Sequence, residues 1–181
     1  MDYEKAFDSL DRRTLWKLLR HYVVPNKVTN LIRNLYENTS CRVIHEGQLT
    51  ESFEVKTGVR QGCLLSPFLF LLAIDWIMRS TTMGRKNGVQ WSLTKQPEDL
   101  DFADDLALLS HSHAQMQDKT TVLDQFSQLV GLQIHREKTK ILRINTNSRE
   151  PITLGKAPLQ DVVTFEPTLC SNLANFEPIH L

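Results

Sequence analysis

Apolar residues repeat at helical spacing near the start of the chain. The first stretch carries them at positions i, i+3, i+4 and i+7: Leu15, Leu18, Leu19 and Tyr22. The second stretch repeats that spacing: Val28, Leu31, Ile32 and Leu35. Ser9 or Asp11 is suited to cap the first helix, and Pro25 is suited to open the second. These patterns predict two amphipathic helices joined by a short loop.

Two longer helices are predicted further along the chain. Ser66 followed by Pro67 is typical of a capped helix start, and the apolar run after it predicts a buried helix to about Thr82. Ser112 is suited to cap the next helix, and Gly131 to end it. This helix carries the apolar residues Val122, Phe126, Leu129 and Val130.

Strand-like segments alternate with these helices. Residues 41–58 predict two strands around a turn at Glu46-Gly47, and short strands are predicted at GVQW (88–91), LQI (132–134) and KTKILRI (138–144). Strands at 99–103 and 106–110 flank the pair Asp104-Asp105. The pattern fades after Asn145. We therefore expect an α+β fold, with a small antiparallel sheet packed against helices in residues 1–145 and a divergent, poorly ordered tail in 146–181.

Composition narrows the class of protein only slightly. The chain has 181 residues, enough for one domain with a sizeable core, and 21 basic residues balance 21 acidic ones. Bulk charge therefore does not indicate a nucleic-acid partner, although a local basic face would still steer one. The three cysteines have no zinc-ligand spacing, and no apolar run is long enough to cross a membrane. We expect no membrane association and an intracellular protein of the nucleus or cytoplasm.

Asp104 and Asp105 lie together inside an apolar stretch, DLDFADDLALLS (99–110). Adjacent carboxylates repel each other and lose solvation there unless something compensates. One interpretation is a two-residue turn between strands, because Asp is a good turn former. The other is a site for hard divalent cations at the tip of a hairpin. A two-metal site would need a further carboxylate from elsewhere in the chain.

Three segments in this order carry a resemblance to a known family: DYEKAFD (2–8), RQGCLLSPFLF (60–70) and FADD (102–105). Together they resemble the palm of a LINE-type (non-LTR) retrotransposon reverse transcriptase. The resemblance runs from Asp2 to about Phe165, and GLQIHREKTK (131–140) resembles the family's next motif. It implies a polymerase palm-like fold cut at both ends, with the fingers and thumb missing.

The resemblance also implies a function: an RNA-directed DNA polymerase that adds deoxynucleotides to a primer 3′-hydroxyl. Its partners would be an RNA template, a DNA primer and deoxynucleoside triphosphates. Asp2, Asp104 and Asp105 would hold two Mg²⁺ (or Mn²⁺) ions, whereas Asp8 is the weaker ligand candidate. Two such ions activate the 3′-hydroxyl and stabilise the transition state of phosphoryl transfer.

Further roles follow from the same resemblance. Phe7 would be a steric gate against the ribose 2′-hydroxyl, although a core position is the ordinary alternative for a Phe. Arg60, Gln61 and Gly62 would bind the nucleotide and template. Lys138 would lie near the triphosphate and protonate the leaving pyrophosphate, although a solvated charge run is the competing interpretation.

The sequence is compatible with three hypotheses about the present function of the chain. The chain is a polymerase palm, an inactive relic of a retroelement, or a primer-template-binding module without catalysis. Metal-dependent primer extension separates the first hypothesis from the other two. Salt-dependent binding separates the module from the relic, because phosphate contacts give a steep dependence on salt. Without fingers and thumb, we expect weak or undetectable activity from the isolated chain.

Overall fold

The computed structural model describes residues 1–84, 88–90, 96–102, 105–146 and 148–164, without the side chains of residues 101, 102 and 105. The described helices are α1 (Ala6–Ser9), α2 (Arg12–His21), α3 (Asn26–Tyr36), α4 (Ser66–Thr82) and α5 (His113–Leu129). The described strands are β1 (Ser40–Cys41), β2 (Ile44–His45), β3 (Gln48–Leu49), β4 (Phe53–Glu54), β5 (Asp99–Phe102), β6 (Asp105–Leu108), β7 (Lys140–Leu142), β8 (Thr153–Leu154), β9 (Ala157–Pro158) and β10 (Gln160–Val162).

These elements form a mixture of helices and small sheets, which confirms the α+β class. Four strand pairs are antiparallel: β1 with β4, β2 with β3, β5 with β6, and β8 with β9. The fifth pair, β7 with β10, is parallel, which differs from the antiparallel sheet expected from the sequence. Strand pairing of this kind joins segments about 20 residues apart through a crossover, and no local pattern specifies its direction.

The core lies between α2, α4 and α5. Helix α4 packs against both α2 and α5, and the buried residues of this cluster include Leu15 and Leu19 of α2, Phe70 and Ile77 of α4, and Leu123 of α5. All five are apolar residues that recur on one face of their helices, so burying them removes the inner stripe of each helix from water. The helix over 66–82 is therefore present as predicted and buried on one face, whereas Phe68 and Leu71 on its other face are exposed. None of the described helices is long and apolar enough to cross a membrane.

Helix α3 is present as predicted, but the face it buries is different. Thr29, Ile32 and Tyr36 are buried, whereas the predicted apolar stripe is largely solvent-exposed at Val28, Leu31 and Leu35. The Tyr36 hydroxyl lies 3.2 Å from the Ser66 hydroxyl at the start of α4, and this contact fixes the rotation of α3. Apolar spacing identified the helix but not the neighbour against which it packs.

Two of the predicted helix caps are confirmed and one is wrong. Asp11 accepts a hydrogen bond from the backbone N–H of Thr14, and Ser112 accepts one from Gln115. Ser66 is instead the first helical residue after Leu65, and its hydroxyl makes no cap hydrogen bond. Pro67 still occupies the first turn, where its missing N–H has no cost.

Three short strands follow residue 148, within the segment predicted to be a poorly ordered tail. Ile152, Leu154 and Leu159 are buried, and β10 pairs with β7. This stretch therefore differs from the expectation: β8 and β9 form a local hairpin with each other, and β10 pairs with a strand about 20 residues away. Strands of two or three residues are too short to give a local period. The strand predicted at 88–91 is not found at residues 88–90, and Trp91 lies outside the described residues. The rest of the tail, from residue 165, also lies outside them, and the domain division at 145 stays a prediction.

Candidate active site

The first three residues form a strand-like segment between two distant parts of the chain. Met1 and Leu106 of β6 exchange both backbone hydrogen bonds, at 2.5 and 3.0 Å. On the other side, Tyr3 forms an antiparallel bridge with Ile134, and the Asp2 carbonyl accepts a hydrogen bond of 2.8 Å from the His135 N–H. Asp2 is thus held at its backbone by segments more than 100 residues away.

This pairing sets the position of Asp2 relative to the β5–β6 hairpin. Reciprocal hydrogen bonds between Met1 and Leu106 are those of an antiparallel pair, so the next residue, Asp2, comes opposite Asp105. Asp105 in turn is paired with Phe102 across the hairpin. The predicted hairpin is therefore present at the predicted place. Asp104, the remaining predicted ligand, lies outside the described residues.

The Asp2 carboxylate forms an ion pair with the predicted general acid. Lys138 Nζ lies 2.8 Å from Asp2 Oδ2, and the two side chains are 63% and 23% exposed respectively. Lys138 follows the segment that pairs with Tyr3, which explains why two residues 136 positions apart meet. The second lysine of that motif, Lys140, contacts Gln160 instead. Of the two lysines in this motif, Lys138 is therefore the one that lies beside Asp2.

Phe7 and the second motif line one open depression of about 530 Å³. Its walls include Phe7, Gln61, Gly62 and Pro67. The Phe7 ring stacks on Phe70 of α4, with ring centroids 4.9 Å apart and planes 18° apart. Both interpretations of Phe7 are therefore compatible with its position, because one face packs on the core while the side chain also borders the depression. Three of the four residues predicted to bind nucleotide or template come together here.

Arg60, the fourth predicted binding residue, makes its described contacts elsewhere. Its guanidinium donates to the Leu35 carbonyl at 2.9 Å and lies over the Tyr36 ring, 5.8 Å from the centroid. These contacts tie the loop before α4 to the end of α3. In the structure, Arg60 therefore has a structural contact that the sequence prediction did not include.

The backbone before the second motif packs directly against α1. Val59 donates to the Phe7 carbonyl at 2.7 Å, and Gly58 donates to the Leu10 carbonyl at 2.8 Å. Gly58 has φ +74°, and a side-chain carbon there would meet the Phe7 carbonyl oxygen at 2.4 Å. A glycine is needed at this position both for its backbone angle and for the close approach. It fixes the distance between Phe7 and the motif that begins at Arg60.

A second support for this loop, which no sequence pattern predicts, comes from Arg12 of α2. Its guanidinium donates to the carbonyls of Gly58, Tyr36 and Val55 at 2.7–3.1 Å. An arginine at a helix start carries no local signal that its acceptors are three carbonyls from distant loops.

Two groups near the site have shifted pKa values. Burial raises the pKa of Tyr3 to about 12, and its hydroxyl lies 2.8 Å from the Ser127 hydroxyl of α5. A hydrogen bond from the backbone of Leu65 lowers the pKa of the Cys63 thiol beside Gly62. Tyr3 is therefore neutral at ordinary pH, and it anchors the strand segment of Asp2 to α5.

The two opposed positions, Asp2 and Asp105, are both aspartates, and carboxylate oxygens are the ligands that a hard divalent cation prefers. Among residues whose side chains are described, no cluster of three or more His, Cys, Asp or Glu could hold a metal ion. Asp104 and the Asp105 side chain lie outside the described part of the structure. The Asp2 carboxylate is partly exposed and forms an ion pair with the Lys138 ammonium. A carboxylate that already contacts a positive charge fits the chemistry of such a site.

Comparisons with known proteins agree with these features. The sequence profile of the family described as "Reverse transcriptase (RNA-dependent DNA polymerase)" matches residues 1–161. The chain is 33% identical over 162 residues to the Pol polyprotein of the type-2 retrotransposable element R2DM of Drosophila melanogaster, covering 87% of this chain and 15% of that protein. It is 29% identical over 164 residues to the R2 Pol polyprotein of Nasonia vitripennis, covering 86% and 16%. The chain thus spans less than a fifth of each of these two relatives.

Proposed function

Since this chain belongs to the reverse transcriptase (RNA-dependent DNA polymerase) family, we propose that it carries the part of a polymerase palm that adds deoxynucleotides to a primer 3′-hydroxyl. The observation that carries the proposal is the pairing of Met1 with Leu106, which brings Asp2 opposite Asp105. Without that pairing, the first motif and the hairpin would have no reason to share a site. The RNA template, DNA primer and deoxynucleoside triphosphates belong to the same proposal.

Reverse transcriptases use divalent metal ions, and we propose Asp2, Asp104 and Asp105 as the ligands of two Mg²⁺ or Mn²⁺ ions. In an antiparallel pair, the position next to a hydrogen-bonded pair has its Cα atoms only about 4.5 Å apart. That spacing supports carboxylates from Asp2 and Asp105 acting on the same ions. When bound, the ions would activate the 3′-hydroxyl and neutralise charge on the transferred phosphate.

Lys138 is proposed to act on the leaving group. Its ammonium is beside Asp2 and mostly exposed, so it can move toward a negatively charged pyrophosphate. A lysine so placed is able to donate a proton to the leaving oxygen. The same ammonium also balances the Asp2 carboxylate before a nucleotide arrives.

The depression lined by Phe7, Gln61 and Gly62 is proposed to receive the incoming nucleotide. The stacking of Phe7 on Phe70 limits how far its ring can retreat. A rigid ring at that place would collide with a 2′-hydroxyl and favour deoxyribonucleotides. The gate proposal thus draws support from the same contact that the core interpretation uses.

Replacing Phe7 by Ala is expected to relax sugar selection. The ratio of kcat/KM for a deoxyribonucleotide to that for the matching ribonucleotide should fall by about 10-fold to 100-fold, because a steric exclusion is removed. Comparing the two substrates with one protein cancels any loss of folded enzyme. Phe70→Leu is expected to relax sugar selection to a smaller extent, since it removes the stack that limits how far the Phe7 ring can retreat. A ratio unchanged in Phe7→Ala would leave Phe7 as a core residue only.

The proposed function itself is tested by primer extension. Protein in excess over an RNA template with an annealed DNA primer is incubated with deoxynucleotides and Mg²⁺ or Mn²⁺. We expect slow, metal-dependent addition of the first nucleotides by the wild type and none by the Asp104→Asn, Asp105→Asn double variant. With protein in excess, even weak activity extends each primer by a nucleotide, so failure of both to extend would contradict the polymerase proposal. Salt-dependent binding of primer-template in that case would favour a binding module, and its absence would favour a relic.

A further inference from the structure

Lys119 of α5 is the most deeply buried charged residue among the described part of the chain. Its side chain is 0% exposed, and its ammonium has three acceptors. These are the Glu98 carboxylate at 2.5 Å, the Glu98 carbonyl at 3.1 Å and the Leu109 carbonyl at 2.7 Å. An ammonium has three N–H donors, so each donor has an acceptor within reach. Burying a lysine so completely is costly unless such contacts compensate.

The acceptors of Lys119 are the two ends of the β5–β6 hairpin. Glu98 directly precedes β5, and Leu109 directly follows β6. The Leu109 N–H also donates to the Glu98 carbonyl at 2.9 Å, which closes the open end of the hairpin. Lys119 therefore joins this end to α5, a helix that belongs to the core. The opposite end of the same hairpin carries the residues proposed to hold metal ions.

We propose that Lys119 is a positioning residue that fixes the β5–β6 hairpin in the register and orientation that bring Asp105 opposite Asp2. The proposal rests on the function proposed above for that site. A shift of one residue in a strand moves its side chains to the opposite face of the sheet, so register has a large effect on where carboxylates lie. Strand pairing runs from the Asp99–Leu108 pair, next to the clamped end, to the Phe102–Asp105 pair at the other end. This pairing transmits the position of the clamped end along the hairpin.

If Lys119 only stabilised the fold in general, replacing it would have a different effect from the loss of a clamp. A core residue that only contributes stability affects all elements of a cooperative fold together. A clamp at the base of one hairpin affects the opening of that hairpin first, since local unfolding follows contiguous structural units. The two roles are therefore separated by where in the chain protection is lost.

The first experiment is hydrogen exchange on the full chain. In Lys119→Met, amides of β5 and β6 are expected to exchange about tenfold faster or more, because two carbonyls and a carboxylate lose their donor. Helices α2 and α4 are expected to keep wild-type exchange. Lys17→Met, at an exposed lysine of α2, is the matched control and should change neither region. A uniform rise across all elements, or no rise in the hairpin, would overturn the proposal.

A second experiment links the clamp to the site through Mn²⁺ binding. Lys119→Met is expected to weaken Mn²⁺ binding about tenfold or more, because misplaced ligands lose affinity. The double variant Glu98→Gln, Lys119→Met removes the uncompensated carboxylate and should regain thermal stability without regaining Mn²⁺ affinity. Recovery of both together would overturn the positioning role. If the wild type itself bound no Mn²⁺, the function proposed above would fail, while the exchange result would still decide the clamp.

Discussion

Asp2→Asn is expected to reduce the rate of primer extension by at least about 100-fold, because the variant removes a charged ligand from the proposed metal site. The substitution keeps the size of the side chain, and it leaves the backbone hydrogen bonds of Met1 with Leu106 and of Asp2 with His135 in place. It also removes the charge that Lys138 now balances at 2.8 Å. The expected loss therefore reports the negative charge of Asp2 rather than a change in fold. Single-turnover rates in Mg²⁺ give the measurement.

Asp8→Asn is the matched control for that prediction. Asp8 lies in the same motif, and its side chain accepts a weak hydrogen bond of 3.4 Å from Gln61. An asparagine retains an oxygen acceptor for Gln61, so extension by Asp8→Asn is expected to stay within about threefold of wild type, as for most surface substitutions. Equal losses in the two variants would contradict the assignment of Asp2 as the ligand from this motif.

Gly58→Ala is expected to lower the free energy of unfolding by more than about 3 kcal/mol, because its methyl group has no space. The added carbon would lie 2.4 Å from the Phe7 carbonyl oxygen and 2.6 Å from the Asp8 Cα, and both are backbone atoms that cannot rotate away. Relief requires separating the loop from α1. That movement breaks the hydrogen bonds from Gly58 and Val59 and displaces Phe7 from the depression.

Gly47→Ala is the matched control, because it introduces backbone strain without a steric clash. Gly47 has φ +76°, close to the +74° of Gly58, but no heavy atom lies within 4 Å of the carbon that the substitution adds. Its expected cost is only about 1 kcal/mol, the strain of a left-handed alanine. Urea denaturation of both variants gives the two values. If the two losses were equal, the close packing of Gly58 against α1 would be disproved.

Local features of the fold could be predicted from the sequence where a local pattern carries the information. The spacing of Leu15, Leu18 and Leu19 identified α2, and Asp11 and Ser112 were recognised as caps from their residue type. The stripe on α3 was misassigned to the interior, because spacing identifies an apolar face without indicating what lies opposite. The parallel pairing of β10 with β7 was missed for the same reason.

The candidate site depends on contacts that no local pattern contains. The Met1–Leu106 pairing spans 105 positions, and the Asp2–Lys138 ion pair spans 136. The motifs named the residues, and the fold brought them into one place. Lys119 did carry a signal: it lies four residues before Leu123, on the buried stripe of α5. A lysine one helical turn before a buried leucine indicates a buried partner, but the sequence cannot identify Glu98 as that partner.

Metal-directed cleavage can show whether Asp2 and the β5–β6 hairpin share one metal site, as proposed. Fe²⁺ replaces Mg²⁺, and the hydroxyl radicals it generates with peroxide cut the backbone nearest the bound ion. We expect cuts near Asp2, Asp105 and Lys138 together, and loss of all three in Asp2→Asn. Cuts confined to other segments, or cuts at the hairpin that persist unchanged in Asp2→Asn, would contradict the shared site.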